Sequence, residues 1–360
     1  MTVYYITIAL VLLFGYLAEY YDSPQLVGED RLSVQHTSET GFFYCLLAAV
    51  LIFVAGFRYR VGTDYGAYYY GYVDYIKNLP NALREIDEPG YGFLALIASK
   101  VYNNGASAIF IASLVTVGLP FFVIYRHTDK LLLAGLLYVA MGCWHISFNG
   151  VRQCLAASVL FCGFGYLKNR QFVRYCIVVF VAFLFHRSAL VMAFIYFAVY
   201  RKINAQNILL MIVLAWVILQ SYSRVFAFAN IIMEKDYSLE NAYVSTEVNR
   251  LRVIASCLPT VVFLFAYWGQ EPDENTTFHL NLSIIHSAIC VFTMNSAVLY
   301  RIGIYSIIFQ TIAIPELLKG ISEKNRRIIT AGIVIMFVGM WWYEIFSYGS
   351  LNHFQWIWQK

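Results

Sequence analysis

Charge is scarce in this chain. Only 13% of its 360 residues are charged and 60% are hydrophobic, more apolar surface than a soluble protein of this size could hide. The formal net charge of +4 is too small to suggest nucleic-acid binding. No Gly-rich phosphate loop, DxD-like pair or HExxH occurs, so nucleotide-sugar and metal chemistry have no support and no cofactor is expected. The seven cysteines (Cys45, Cys143, Cys154, Cys162, Cys176, Cys257 and Cys290) are scattered through apolar runs. Their spacing suggests neither a metal site nor a disulfide framework. The opening "MTVYYITIALVLLFGYL" lacks a basic n-region and a small-residue cleavage site, and so reads as a retained first span. With no internal repeat or low-complexity linker, residues 1–360 are expected to form a single integral membrane domain.

What the chain has is apolar length. A helix needs about 20 apolar residues to cross the hydrocarbon core. Spans are expected near 3–20, 41–57, 106–125, 131–148, 151–167, 208–222, 252–269, 279–299, 302–318 and 327–346. Residues 91–102 are too short to span and read as a re-entrant or half helix. Residues 172–200 are too long for one span and carry His186-Arg187 at the middle, so they split into two short helices meeting at that pair. The expectation is an all-α polytopic membrane protein of about 10–12 transmembrane helices.

Lysine and arginine set the orientation. Four basic loops (Arg126 and Lys130; Lys168, Arg170 and Arg174; Arg201 and Lys202; Lys319, Lys324, Arg326 and Arg327) fall on one side, provided 172–200 goes in and back. That side should be the cytoplasm. Loops 58–105 and 223–250 are then expected to be periplasmic, with the half helix inside the first. The acidic loop 21–40, holding only Arg31, disagrees by falling in the cytoplasm. Two sequons, "NTT" at 275–277 and "NLS" at 281–283, fall in a cytoplasmic loop and in a span, and neither is expected to be used.

The outward face therefore gathers Arg58, Arg60, Arg152, His186 and Arg301, where few cations are expected. Arginine suits phosphate because its planar fork offers two parallel hydrogen bonds and keeps its charge. A lipid-attached diphosphate is the natural anion at that depth. In "FNGVRQCLAAS", Asn149-Gly150 makes a turn and places Arg152 and Gln153 in the first turn of a helix. Arg152 is either an anion ligand or a side chain snorkelling to headgroups. His186, in "FLFHRSALV", is either a general base or a hydrogen-bonded packing residue. Arg187 beside it is instead the phosphate ligand, or merely a helix end. Arg301 interrupts an apolar stretch, either at a helix boundary or facing a cavity, and Tyr305 shares its helical face.

In "FRYRVGTDYGAYYYGYVDY", residues 57–75, Thr63 or Asp64 can cap a helix carrying Tyr65, Tyr68, Tyr69, Tyr72 and Tyr75, mostly on one face. Two readings stand for the rings: an aromatic belt at headgroup level, or a platform that stacks on sugars. Asp64 is an acceptor of a hydroxyl proton or an ion partner of Arg58 or Arg60.

"FRYRVGTDYGAYY", "EPGYGFL" at 88–94, "NGVRQCLAAS" and "FLFHRSAL", in this order and spacing, resemble the EpsG-like branch of the Wzy-type polysaccharide polymerases. The resemblance is specific over about 57–200 and rests beyond that on Arg301 and Tyr305; the tail "LNHFQWIWQK" carries none. It implies a GT-C-like architecture related to O-antigen ligases. It also implies a bacterial inner-membrane glycosyltransferase with a periplasmic active face. Such an enzyme passes a growing O-antigen or exopolysaccharide chain from undecaprenyl diphosphate to a new lipid-linked repeat unit. The bilayer and that lipid-linked oligosaccharide are the implied partners, with a chain-length regulator as a further one. On this reading Arg152 and Arg301 take the diphosphate, assisted by Arg58 or Arg60, and Arg187 is a further candidate. His186 is the base and Asp64 its runner-up, since a carboxylate beside arginines is the weaker base. Tyr65, Tyr68, Tyr72, Gln153 and Tyr305 are expected to contact glycan. An O-antigen ligase shares the donor and the cations. A lipid-linked glycan flippase would need them too, but should show paired half-domains, which the sequence lacks. A membrane acyltransferase could use the histidine but not the arginines.

Overall fold

The computed structural model describes residues 1–27, 33–202, 204, 206–210, 212–213, 216–217, 248–347 and 349–360. The chain is an all-α polytopic membrane protein. Among the described residues six helices are long and apolar enough to cross a bilayer: Thr2–Tyr20, Ser38–Gly56, Gly105–His127, Glu274–Thr293, Ala297–Lys319 and Glu323–Ser347. Four shorter apolar helices accompany them: Leu131–Ala140, Val151–Phe161, Phe172–Phe185 and Arg187–Ala198.

Several breaks have visible causes. The expected span 131–148 is not continuous: Gly142, at φ +96°, takes a left-handed turn open to glycine and divides it into Leu131–Ala140 and Cys143–Ile146. The expected span 151–167 also divides, into Val151–Phe161 and Phe164–Lys168. The split of 172–200 falls at the expected pair. Phe172–Phe185 ends where His186 turns extended, and Arg187–Phe194 continues as a tighter 3-10 helix. At 14 residues, or about 21 Å, the first half is short of the hydrocarbon thickness. Expected half helix 91–102 is the 13-residue helix Pro89–Val101. Expected span 208–222 and loop 223–250 lie largely outside the described residues.

The described chain forms two compact units, one of Met1–Leu190 with Phe337–Lys360, the other of Val191–Met336. In the first, Trp144 is fully buried and its indole N–H donates to the Leu51 carbonyl at 3.1 Å. His145 Nε2 meets Glu344 Oε2 at 2.9 Å in the interior, fastening the last long helix. Tyr4 donates to the Leu351 carbonyl at 2.7 Å. The tail strand Gln355–Trp356 pairs antiparallel with Arg58–Tyr59. Lys360 Nζ donates to the Tyr69 hydroxyl at 3.0 Å.

A cluster of Tyr68, Tyr91, Leu94, Ala95, Ala112, Val151 and Leu155 bolts Tyr65–Tyr70, Pro89–Val101, Gly105–His127 and Val151–Phe161 together. These helices carry or flank the site described below.

The second unit is zipped by polar side chains. Ser283 donates to Gln310 Oε1 at 2.8 Å, His286 Nδ1 meets Ser306 Oγ at 2.8 Å, and Ser287 donates to Thr260 at 2.7 Å. In an apolar surrounding such pairs satisfy groups that lipid could not. The "NLS" asparagine, Asn281, is buried here, its amide donating to the carbonyls of Val199 and Arg201.

Candidate functional site

The turn Ile86–Glu88 is where the first unit concentrates charge. Ile86 and Glu88 both hold left-handed backbone, at φ 54° and 50°, a conformation that costs a side-chain-bearing residue energy. Pro89 follows at the first helical position, where its fixed φ and missing N–H suit a helix start. Gly90 lets that start lie against the end of Phe172–Phe185. A Cβ there would stand 2.7 Å from the Phe185 ring and 2.9 Å from the Leu184 carbonyl. The sequence "EPG" thus delivers Glu88 to the break at His186.

Glu88 is the hub. Its Oε1 lies 2.6 Å from His186 Nδ1 and accepts the Arg187 backbone N–H at 2.9 Å. Its Oε2 accepts from Arg152 Nη1 at 2.6 Å. The carboxylate is largely buried, at 8% exposure, while the Arg152 and His186 side chains keep 35% and 30%. Arg187 pairs in turn with Asp87, at 2.7 Å. The Arg152 guanidinium lies 5.8 Å over the Tyr75 ring. Burial alone would push the Glu88 carboxyl up. The hydrogen bond from His186 and the charges of His186 and Arg152 outweigh it and hold the group below its ordinary value.

Because a carboxylate only accepts, Nδ1 carries the hydrogen of that contact, and in a neutral imidazole so oriented the lone pair falls on Nε2. A carboxylate that fixes the tautomer of a half-exposed histidine, beside two guanidinium groups, can take a proton and stabilise departing negative charge in one place.

Arg152 arrives as expected, in the first turn of Val151–Phe161 after the Asn149-Gly150 turn. Asn149 Oδ1 also accepts the Thr63 N–H at 2.7 Å, tying loop 61–64 to that turn. Gln153 is buried beside it. Arg152, His186 and Arg187 are brought together, and Tyr68 joins them through a hydrogen bond with the Arg152 side chain.

Arg58 is interior, at 3% exposure. Its guanidinium donates to the carbonyls of Ala55 and Val61 and to Ser113, and lies 4.6 Å over the Phe148 ring. Arg60, two residues on, is exposed and lies 5.4 Å from the Tyr59 ring. Neither pairs with Asp64 among the contacts described. Asp64 precedes Tyr65–Tyr70 without capping it; its Oδ1 accepts from the Thr63 hydroxyl at 3.1 Å instead. The expected cap is therefore absent, because Asp64 is itself in helical backbone, at φ −88° and ψ 0°, and its side chain does not reach the helix N–H groups.

The tyrosine face is also different from expectation. Gly71 divides the segment into Tyr65–Tyr70 and Tyr72–Glu85. Tyr65 and Tyr68 are buried at 2% and 6%, Tyr65 stacking on Tyr69 and Tyr68 on Tyr75 and edge-on to Tyr91. Their rings pack on protein. Tyr72 is half-buried and donates to Asn103 Oδ1 at 3.0 Å.

Arg301 lies in the second unit, exposed, at the junction of Ala297–Tyr300 and Gly303–Lys319. Tyr305 is fully buried. Between them the helix is wound tightly, with Ile304 and Tyr305 bonding back three residues, to Arg301 and Ile302.

Glu88 and Asp87 are the functional candidates that sequence reasoning missed. Glu88 stood in the quoted "EPGYGFL", and an acidic residue held before Pro-Gly was the available signal.

A family model described as the EpsG family matches residues 41–357. The match takes in Glu88, Arg152, His186 and Arg301, and most of the tail. No curated protein and no solved structure matches the chain.

Proposed function

This chain belongs to the EpsG family, a family of Wzy-like polysaccharide polymerases, and from that premise we propose that it polymerises undecaprenyl-diphosphate-linked repeat units at the outer face of a bacterial inner membrane. The single observation that carries the reading is the meeting of His186 and Arg152 on Glu88. The acceptor is the terminal sugar of a new lipid-linked unit. Its hydroxyl gives a proton to His186 Nε2 as its oxygen forms the new bond to the donor's anomeric carbon. The bond from that carbon to the diphosphate breaks, and the electron pair leaves with the lipid diphosphate. Arg152, with Arg187 beside it, stabilises the charge that gathers there. No proton donor to the leaving group is required, since a diphosphate departs as an anion. A chain-length regulator would act on this reaction from outside the chain.

The test is a deletion strain of the source bacterium, its surface glycan and lipid-linked intermediates resolved together. Single units accumulating at the outer face, with the ladder restored by wild type but not by Arg152→Ala or His186→Ala, is the expected result. Long lipid-linked polymer that never reaches its final acceptor would make the protein a ligase. Single units held at the cytoplasmic leaflet would make it a flippase.

A further inference from the structure

We infer that Glu88 stands in for the donor's phosphate on Arg152 and is at the same time the positioning residue for His186, so that donor binding displaces one of its oxygens and leaves the other on the imidazole. The inference rests on the reading just proposed, and concerns how the site waits for its donor.

Each arginine of the cluster already holds a carboxylate. Arg152 holds Glu88 Oε2 at 2.6 Å and Arg187 holds Asp87 Oδ1 at 2.7 Å. Two adjacent carboxylates on two guanidinium groups reproduce the charge pattern of a diphosphate on the same pair. Asp87 and Glu88 balance the charges of Arg152 and Arg187, so a diphosphate has to compete with a carboxylate for either guanidinium. Tyr68 hydrogen-bonds the Arg152 side chain, and the Tyr75 ring lies 5.8 Å from the guanidinium.

Glu88 is built to give way on one side only. Its two oxygens are divided between partners: Oε1 holds His186 Nδ1 and the Arg187 N–H, both within the helix break at 186–187, while Oε2 holds, among the described residues, the half-exposed Arg152 side chain. The turn beneath is held in left-handed backbone at Ile86 and Glu88. It is anchored by the Asp87 N–H on the Ala82 carbonyl at 2.8 Å and by the packing of Gly90. Such a conformation persists only while its contacts over-determine it. When phosphate replaces Oε2 on Arg152, the Glu88 charge remains on His186 and the Arg187 N–H, where it stabilises the imidazolium that forms as the acceptor's proton arrives. Donor binding and base function are thereby coupled through one side chain.

The experiment uses the full-length protein in lipid nanodiscs, with inorganic diphosphate as the probe in calorimetry and with ladder formation as the activity. Glu88→Gln keeps the shape but removes the charge that competes for Arg152. It is expected to bind diphosphate about ten-fold tighter than wild type while turning over about a hundred-fold slower. A merely structural glutamate would lose both together. Should Glu88→Gln fail to fold, Glu88→Asp, which keeps the charge but is one methylene short of Arg152, carries the same expectation for binding. Binding no tighter than wild type in the variant tested, or no binding at all, overturns the stand-in. Arg152→Ala separates the two claims: loss of binding there with no gain in Glu88→Gln sinks the stand-in alone, and unchanged binding in Arg152→Ala sinks the assignment of Arg152 beneath it.

Discussion

His186 Nδ1 and Glu88 Oε1 stand 2.6 Å apart although 98 residues separate them in the chain. The contact gives the histidine a defined tautomer and a direction, which an isolated imidazole in an apolar run would lack. It also makes His186 testable apart from the phosphate ligands. His186→Ala should abolish glycan transfer, by a factor on the order of 10² to 10⁴, while binding of inorganic diphosphate stays within about two-fold of wild type. Equal loss of binding and transfer would mean that the imidazole holds the donor rather than moving a proton.

Arg152→Lys retains the charge but not the planar fork. Transfer should fall by about 10² or more, mainly in kcat, because the lost hydrogen bonds matter most where charge develops. Kinetics on a short lipid diphosphate analogue read this directly, and a change confined to KM would assign Arg152 to ground-state binding.

Arg58 should behave differently from Arg152. It is buried and its donors serve the Ala55 and Val61 carbonyls and Ser113. Arg58→Ala should cost about 2 kcal/mol or more in stability by leaving those acceptors unmet. Thermal unfolding in detergent measures it. A variant as stable as wild type but inactive would return Arg58 to the reacting site.

Gly90→Ala places a methyl group against Phe185 and the Leu184 carbonyl. The helix start must move away, at a cost of about 1–3 kcal/mol, and Glu88 moves with it. Reduced transfer should accompany the lower melting temperature, with Gly92, set against Tyr75 and Leu79, as a comparison site that does not carry the carboxylate.

The Glu88 carboxyl is held below its ordinary value of 4.5, first against burial and then by His186 and Arg152. Its folded value is depressed, so its contribution to stability is whole above 4.5 and is lost as pH falls below that through the folded value. The stabilisation that wild type owes to the Glu88 carboxylate, read as its melting difference from Glu88→Gln, should therefore still be present at 4.5 and close only in stronger acid. A difference that already closes between neutrality and 4.5 would assign the linkage to another group.

Much of the architecture was legible because membrane helices declare themselves by apolar length, and the break at His186-Arg187 declared itself by a polar pair inside an overlong run. The partner of His186 was not legible, since nothing in a single sequence joins Glu88 to a residue so far along. Arg58 and Arg60 looked equivalent in "FRYR", yet Arg58 points into the interior and Arg60 is exposed. Extended backbone and the left-handed turn at Arg60, φ 53°, separate them. Tyr65 and Tyr68 had the spacing of an aromatic belt, but a buried aromatic cluster uses the same spacing. What distinguishes the two is the neighbouring helix Pro89–Val101, which supplies Tyr91.

The first unit is discontinuous in sequence, and this bears on how the protein is made. Residues 337–360 reach the ribosome's exit only after 191–336 have been synthesised. Until then Tyr4 lacks Leu351, His145 lacks Glu344, and the Arg58–Tyr59 strand has an unpaired edge. The half of the protein that carries Glu88, Arg152 and His186 is inserted early and completed late. The nascent chain therefore holds these polar groups without their late partners while its remaining helices are threaded.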